Sequence, residues 1–197
     1  MKRAEIVPAH FVSLQLAGFW CENYYTGTGG KKIGLTPEIL SAVGLLDDTL
    51  WIHQDLPARL AHVADLIRDE GYGIIIKDAW RPVKLYDHII KRRNDLGLPV
   101  SGLISAKSMP HATGMVVDAV LSEPDTPRAI TMRNQARDGL ESCYYNFYCG
   151  KYDEESQVFQ AAQDLLIKAF VSAGFRLGRK REYWHFEMPN IGDATRF

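Results

Sequence analysis

An acidic residue inside the most strand-prone stretch of this chain constrains it more than any other feature. Met115-Val116-Val117-Asp118-Ala119-Val120-Leu121 reads as a β-branched strand, and Asp118 stands among apolar neighbours. Burying an unpaired carboxylate is costly, so Asp118 needs a partner. A divalent cation is one candidate partner; an ordinary salt bridge or hydrogen bond is another. Just upstream, Pro110-His111-Ala112-Thr113-Gly114 is a loop that presents an imidazole. Near the C-terminus, Glu182-Tyr183-Trp184-His185 places a carboxylate and an imidazole three residues apart, within an aromatic segment, Tyr183 to Met188, that reads as a strand. Two histidines and one aspartate make a three-ligand zinc shell with an open fourth position, as in catalytic sites. Glu182 is then free to serve as a general base. In a regular strand, residues i and i+3 face opposite sides, so this use of Glu182 and His185 requires a bulge, a twist or a strand end. The competing reading pairs Glu182 with Arg181 or Arg176 and makes His185 a packed core histidine.

Around these segments the periodicities are mixed. Thr36-Pro37-Glu38 predicts an N-cap followed by Pro at the first helical position, with a short helix through Val43. Leu56, Leu60, Val63, Ala64 and Ile67 recur at helical spacing from Leu56 to Glu70, and Gly71 and Gly73 end that helix before a buried strand at Ile74-Ile75-Ile76. Pro82 to Asn94 predicts another amphipathic helix. The clearest helical stripe runs from Ser156 to Ala173, with Gly174 as its C-terminal cap. Helices and strands without regular alternation predict an α+β fold rather than a doubly wound sheet. Gly27-Thr28-Gly29-Gly30-Lys31-Lys32 fails the spacing of both phosphate-loop and dinucleotide fingerprints, which leaves a flexible surface loop as the expectation. His62 and His88 fall on the predicted helices and read as surface residues.

Length and charge narrow the function classes. A chain of 197 residues suggests a single domain, residues 1–197, able to bury roughly 70% of its unfolded surface without metal or disulfide staples. With 23 Lys+Arg against 24 Asp+Glu there is no dominant basic stripe, so a nucleic-acid partner is not expected. No apolar run approaches the roughly 20 residues of a membrane helix, and the apolar stretch after Met1-Lys2-Arg3 is interrupted by Glu5, His10 and Gln15, which argues against a signal peptide. Cys21, Cys143 and Cys149 are an odd number and make no disulfide framework; free, mostly buried thiols and a cytoplasmic location are the expectation.

His-x-x-Gly-x-x-x-Asp at His111, Gly114 and Asp118, followed late by Glu182-Tyr183-Trp184-His185, resembles the zinc D,D-peptidases, a superfamily of D-alanyl-D-alanine dipeptidases and carboxypeptidases. The dipeptidase branch, of the vancomycin-resistance type, is the most similar. Asn23-Tyr24-Tyr25-Thr26-Gly27 resembles its Asn-Phe-Thr-Gly segment, and Gly71-Tyr72-Gly73 through Asp78-Ala79-Trp80-Arg81-Pro82 resembles its strand ending in Asp-Gly-Tyr-Arg-Pro. The four segments follow the family order and span most of the chain.

The resemblance implies a hedgehog/D,D-peptidase-like architecture, in which a small antiparallel sheet flanked by helices carries the site. It implies one Zn2+ per chain held by His111, Asp118 and His185, with Glu182 as general base and Arg81 stabilising charge on the substrate carbonyl. The implied partner is a small peptide, and the implied reaction is hydrolysis of a D-amino-acid dipeptide such as D-alanyl-D-alanine. The alternatives are a D,D-carboxypeptidase or endopeptidase acting on longer peptidoglycan peptides, and a non-catalytic zinc-binding module of the same fold. Two departures concern substrate contacts. The family usually places Ser two residues before its first His ligand, whereas this chain has Met109 there and Ser108 one step further away. The ammonium-binding Asp of the dipeptidases, in a Met-Gly-x-x-Phe-Asp context, finds only a loose match in Met132 through Asp138. Asp138, with Tyr24 or Tyr25, is the candidate for that contact; a solvated loop charge is the competing account.

Overall fold

In the computed structural model, residues 7–45, 47–98, 100, 108–178, 181–191 and 195–196 are described. In chain order the elements are β1 (Phe11–Ser13), β2 (Trp20–Cys21), α1 (Thr28–Lys32), α2 (Pro37–Ala42), β3 (Trp51–His53), α3 (Pro57–Asp69), β4 (Gly73–Asp78), α4 (Val83–Asp95), a 3-10 turn (Pro110–Thr113), β5 (Val116–Ser122), α5 (Gln135–Asp138), a second 3-10 turn (Leu140–Cys143), α6 (Glu154–Ser172), β6 (Arg176–Leu177) and β7 (His185–Glu187). β1 and β3 form a two-stranded antiparallel sheet, and the other strands form a second sheet in the order β2-β4-β5-β7-β6. The fold is α+β, as the mixed periodicities predicted.

Local chemistry explains the helices. Thr36 caps α2 by accepting a hydrogen bond from the Ile39 amide, with Pro37 at the first helical position. Asp153 caps α6 through the Ser156 amide, and Glu154 and Glu155 put negative charge at the positive end of the helix dipole. Gly174 follows α6 with φ of 88°, a left-handed conformation that costs glycine nothing.

α3 and α6 cover one face of the larger sheet. Leu60, Val63 and Ile67 of α3 and Leu166, Ala169 and Phe170 of α6 pack with Val117, Ala119 and Leu121 of β5 and Phe186 of β7 in the main core. The Phe170 and Phe186 rings stack at 3.8 Å. Because side chains alternate along a strand, placing Val117, Ala119 and Phe186 on that face turns Asp118, His185 and Glu187 to the other. A smaller core, with Tyr25, Ile33, Leu35, Leu85, Tyr86, Ile89 and Ala112, packs α1, α2 and α4 with the turn that carries His111.

Four features differ from the sequence reading. The larger sheet is antiparallel except at its edge, where β2 pairs with β4 in parallel. The long β2-to-β4 connection makes the parallel pairing possible, since it includes α1, α2, β3 and α3. The glycine-rich segment is no flexible surface loop: Thr28–Lys32 forms α1, with Gly29 and Gly30 buried. A Cβ on Gly30 would overlap the carbonyl of Tyr25, so those glycines serve close backbone packing. The C-terminal strand begins at His185, because Tyr183 and Trp184 lie in a turn. Of the three free thiols, Cys143 is buried, Cys21 half-buried and Cys149 exposed, so burial is less general than expected. Among the described residues, no helix is long and apolar enough to cross a membrane.

Candidate metal centre

Three elements converge on the face of the sheet opposite the main core. β5 and β7 pair antiparallel with Asp118 directly opposite His185. His111 arrives from the 3-10 turn, entered through Met109 in the left-handed region (φ 39°) and left through Gly114 (φ 68°). The turn is held in place by its backbone: the His111 amide donates to the Tyr86 hydroxyl at 3.0 Å, and the Arg81 amide donates to the His111 carbonyl at 3.2 Å.

The three side chains meet. His185 Nδ1 lies 2.8 Å from Asp118 Oδ1, His111 Nε2 lies 3.3 Å from the same oxygen, and the two ring nitrogens are 3.2 Å apart. Tetrahedral zinc with bonds of 2.0–2.1 Å keeps its ligand atoms about 3.3 Å from one another, so the donor set fits such an ion with only small adjustment. The residues are largely enclosed, with His111 buried and Asp118 and His185 half-buried. A buried His111-Asp118-His185 group of this composition can hold a metal ion.

The rings are aimed by their outer nitrogens. His111 Nδ1 lies 2.7 Å from the Ala79 carbonyl, which can only accept, so the proton resides on Nδ1 and the Nε2 lone pair faces the cluster. His185 Nε2 lies 3.2 Å from Glu187 Oε1, leaving Nδ1 toward Asp118. In the metal-free protein a proton takes the place of the cation. Burial alone would lower the His185 pKa, but the hydrogen bond and charge of Asp118, then Glu187 and Glu182, push it up to about 10. Burial raises Asp118, and the charges and hydrogen bonds of both histidines more than reverse this, holding its carboxyl well below the usual range.

Glu182 is buried and forms an isolated bridge with Tyr144. Its carbonyl accepts from the His185 amide at 3.1 Å, closing a turn that follows Arg181 at φ 58°. The strand end therefore resolves the alternation problem, and Glu182 is close enough to raise the His185 pKa. Arg176 pairs with Glu187 at 3.2 Å rather than with Glu182.

Arg81 follows β4, whose irregular pairing sets Asp78 opposite Asp118. Its guanidinium forms a buried ion pair with Asp78 and lies 4.6 Å and 4.8 Å from the ring centroids of Tyr25 and Tyr86. Arg81 Nε is buried with no hydrogen-bond partner among the described residues. Tyr25 thus forms part of the wall around Arg81, whereas Tyr24 is exposed and meets the Tyr25 ring edge-on. Ser108 is exposed, and its carbonyl accepts from Arg196 at 2.7 Å. Asp138 is engaged elsewhere, by Arg137 through two hydrogen bonds of 2.9 Å and by the Tyr148 hydroxyl at 3.0 Å.

Asp78, the Ala79 carbonyl, Tyr86 and Glu187 were not singled out from the sequence. Glu187 was discoverable there, because a residue two beyond His185 in a strand shares its face. Asp78 stands three residues before its partner Arg81, whereas the Ala79 carbonyl and Tyr86 are recruited by contacts with His111, distant in the chain, and left no local signal.

Fold and site together define an α+β protein with a buried His-Asp-His cluster suited to a metal ion. No protein-family model matches the chain, and a search of curated proteins finds no match.

Proposed function

We propose that this protein is a zinc-dependent peptidase that hydrolyses a small D-amino-acid dipeptide of the D-alanyl-D-alanine type. The observation that carries the reading is the His111-Asp118-His185 cluster, in which one nitrogen of each ring lies within 3.3 Å of the same carboxylate oxygen. Zinc bound there supplies Lewis acidity and lowers the pKa of water toward neutrality. Glu182 takes a proton and returns it to the leaving amine, a role supported by the closeness of its charge to His185. Arg81 supports the charge that develops on the carbonyl oxygen: the ion pair with Asp78 and the two flanking tyrosines hold the guanidinium still, and Nε remains to donate. The retention of Glu182 and Arg81 argues for catalysis over a purely zinc-binding module.

One observation favours a second reading, a D,D-carboxypeptidase or endopeptidase acting on longer peptides. The carboxylate suggested for the substrate ammonium, Asp138, is already satisfied by Arg137 and Tyr148. One assay addresses both readings. Zinc-loaded protein is given D-alanyl-D-alanine, its N-acetylated form and a longer peptide ending in D-alanyl-D-alanine. A dipeptidase releases D-alanine from the free dipeptide roughly 10²-fold faster than from the acetylated one, since a buried carboxylate left unpaired disfavours the latter. Equal or faster cleavage of the blocked or longer substrates selects the second reading, and no cleavage of any of them refutes hydrolysis of this class.

A further inference from the structure

Glu187 lies two residues beyond His185 on β7, so both side chains leave the strand on the same face. One carboxylate oxygen, Oε1, is 3.2 Å from His185 Nε2; the other, Oε2, is 3.2 Å from Arg176 Nη2 on β6. β6 pairs with β7 so that Arg176 stands opposite Glu187, and the Glu187 side chain is only 7% exposed. Gly178 closes the arrangement. Its amide donates to the His185 carbonyl at 2.9 Å, and a Cβ at that position would overlap the His185 ring and come within 3.3 Å of Glu187 Oε1. The imidazole is therefore gripped by backbone on one side and by a carboxylate at its outer nitrogen.

We infer that Glu187 is a positioning residue that decides which nitrogen of His185 is offered to the metal. The inference rests on the reading of the His111-Asp118-His185 cluster as a metal site. A neutral imidazole carries one proton on either nitrogen, and only the bare one can bind a cation. A carboxylate accepts and cannot donate, so when a cation displaces the proton between His185 and Asp118, Glu187 holds the ring's remaining proton on Nε2 and leaves Nδ1 to the metal. Arg176 holds the second oxygen, which keeps the carboxylate from swinging away. Without Glu187 nothing holds the neutral ring's single proton at Nε2, and a proton kept on Nδ1, 2.8 Å from Asp118, competes with the cation for that nitrogen. His111 is served differently, by the Ala79 main-chain carbonyl. Glu187 is thus a side-chain device that substitution can remove, and its negative charge also strengthens the ring as a donor.

The test measures zinc affinity by chelator competition, and the coordinating nitrogen of His185 by NMR of 15N-histidine-labelled, zinc-loaded protein. In the unmodified protein, Nδ1 binds zinc and Nε2 keeps its proton. Glu187→Gln retains an acceptor oxygen and loses the charge, so it keeps Nδ1 coordination with an intermediate affinity. Glu187→Ala loses both; zinc binding falls roughly 10–100-fold and His185 no longer shows a single coordinating nitrogen. Should the alanine variant fail to fold, the near-isosteric glutamine variant decides. An affinity for Glu187→Gln within about twofold of the unmodified protein overturns the inference and leaves the metal site standing. An unmodified protein that takes up no zinc overturns both.

Discussion

Replacing Arg81 by alanine does more than remove a donor from the site. The Arg81 and Asp78 side chains are 7% and 4% exposed and form an ion pair, so the substitution leaves a buried carboxylate without its counter-charge. Asp118 stands opposite Asp78 in the β4–β5 pairing, which adds repulsion between two acids. Breaking a buried pair from one side costs roughly 3–5 kcal/mol, a large share of the 5–15 kcal/mol that holds a domain together. At this chain length that corresponds to a fall in Tm of roughly 6–20 °C. Urea unfolding of Arg81→Ala, Asp78→Asn and the double variant measures it. The double variant should be more stable than Arg81→Ala alone by at least about 1 kcal/mol, because neutralising the stranded acid removes the penalty. A loss below about 1 kcal/mol for Arg81→Ala, or strictly additive effects, would refute the argument. The proposed role of Arg81 in hydrolysis is therefore better probed with Arg81→Lys, which keeps a cation for Asp78 and removes the Nε donor. Its kcat should fall roughly 10²–10³-fold, and an effect confined to KM would show that Arg81 contributes to uniform binding instead.

The purified protein should bind about one zinc per chain, and His111→Ala or His185→Ala should each abolish it; stoichiometric zinc in both variants would remove these residues from the metal site. Glu182→Gln should keep the metal, measured by elemental analysis, and lose hydrolysis, because a base that is not a ligand can be lost without losing the ion. The pH dependence of the metal-free protein has a defined sign. His185 is raised to about 10 from a value near 6.5 in the unfolded chain, so its stabilisation is complete below about pH 6.5 and is lost as pH rises through about 10. Asp118 is shifted the other way, and its contribution is present above its ordinary pKa and lost as pH falls. Thermal melts in the presence of a chelator should therefore show Tm falling between about pH 6.5 and 10; a flat profile would contradict the His185 shift.

Sequence alone was enough for the α+β class, α3, α6 and β5, and the three candidate ligands. Those features arise from local physics: the repeat of apolar residues, caps such as Thr36 and Asp153, and one carboxylate in an apolar strand that required a partner. Tertiary structure decided the rest. In the helix at Thr28–Lys32, Gly29 and Gly30 lie too close to Tyr24 and Tyr25 to carry a side chain, a packing contact that the glycines' turn-like composition conceals. The position of Glu182 relative to His185 depends on β7 starting at His185, after a turn closed by Glu182 and tied through Tyr144 to a segment far away in the chain. Arg81 acquires its partner only when β4 ends in an irregular register beside β5. The hydrogen bond that His111 donates to the Ala79 carbonyl and the one that Arg176 donates to Glu187 join residues that no local pattern links. A three-residue period or a capping residue is written into a segment, whereas the aim of an imidazole depends on whatever the fold sets beside its second nitrogen.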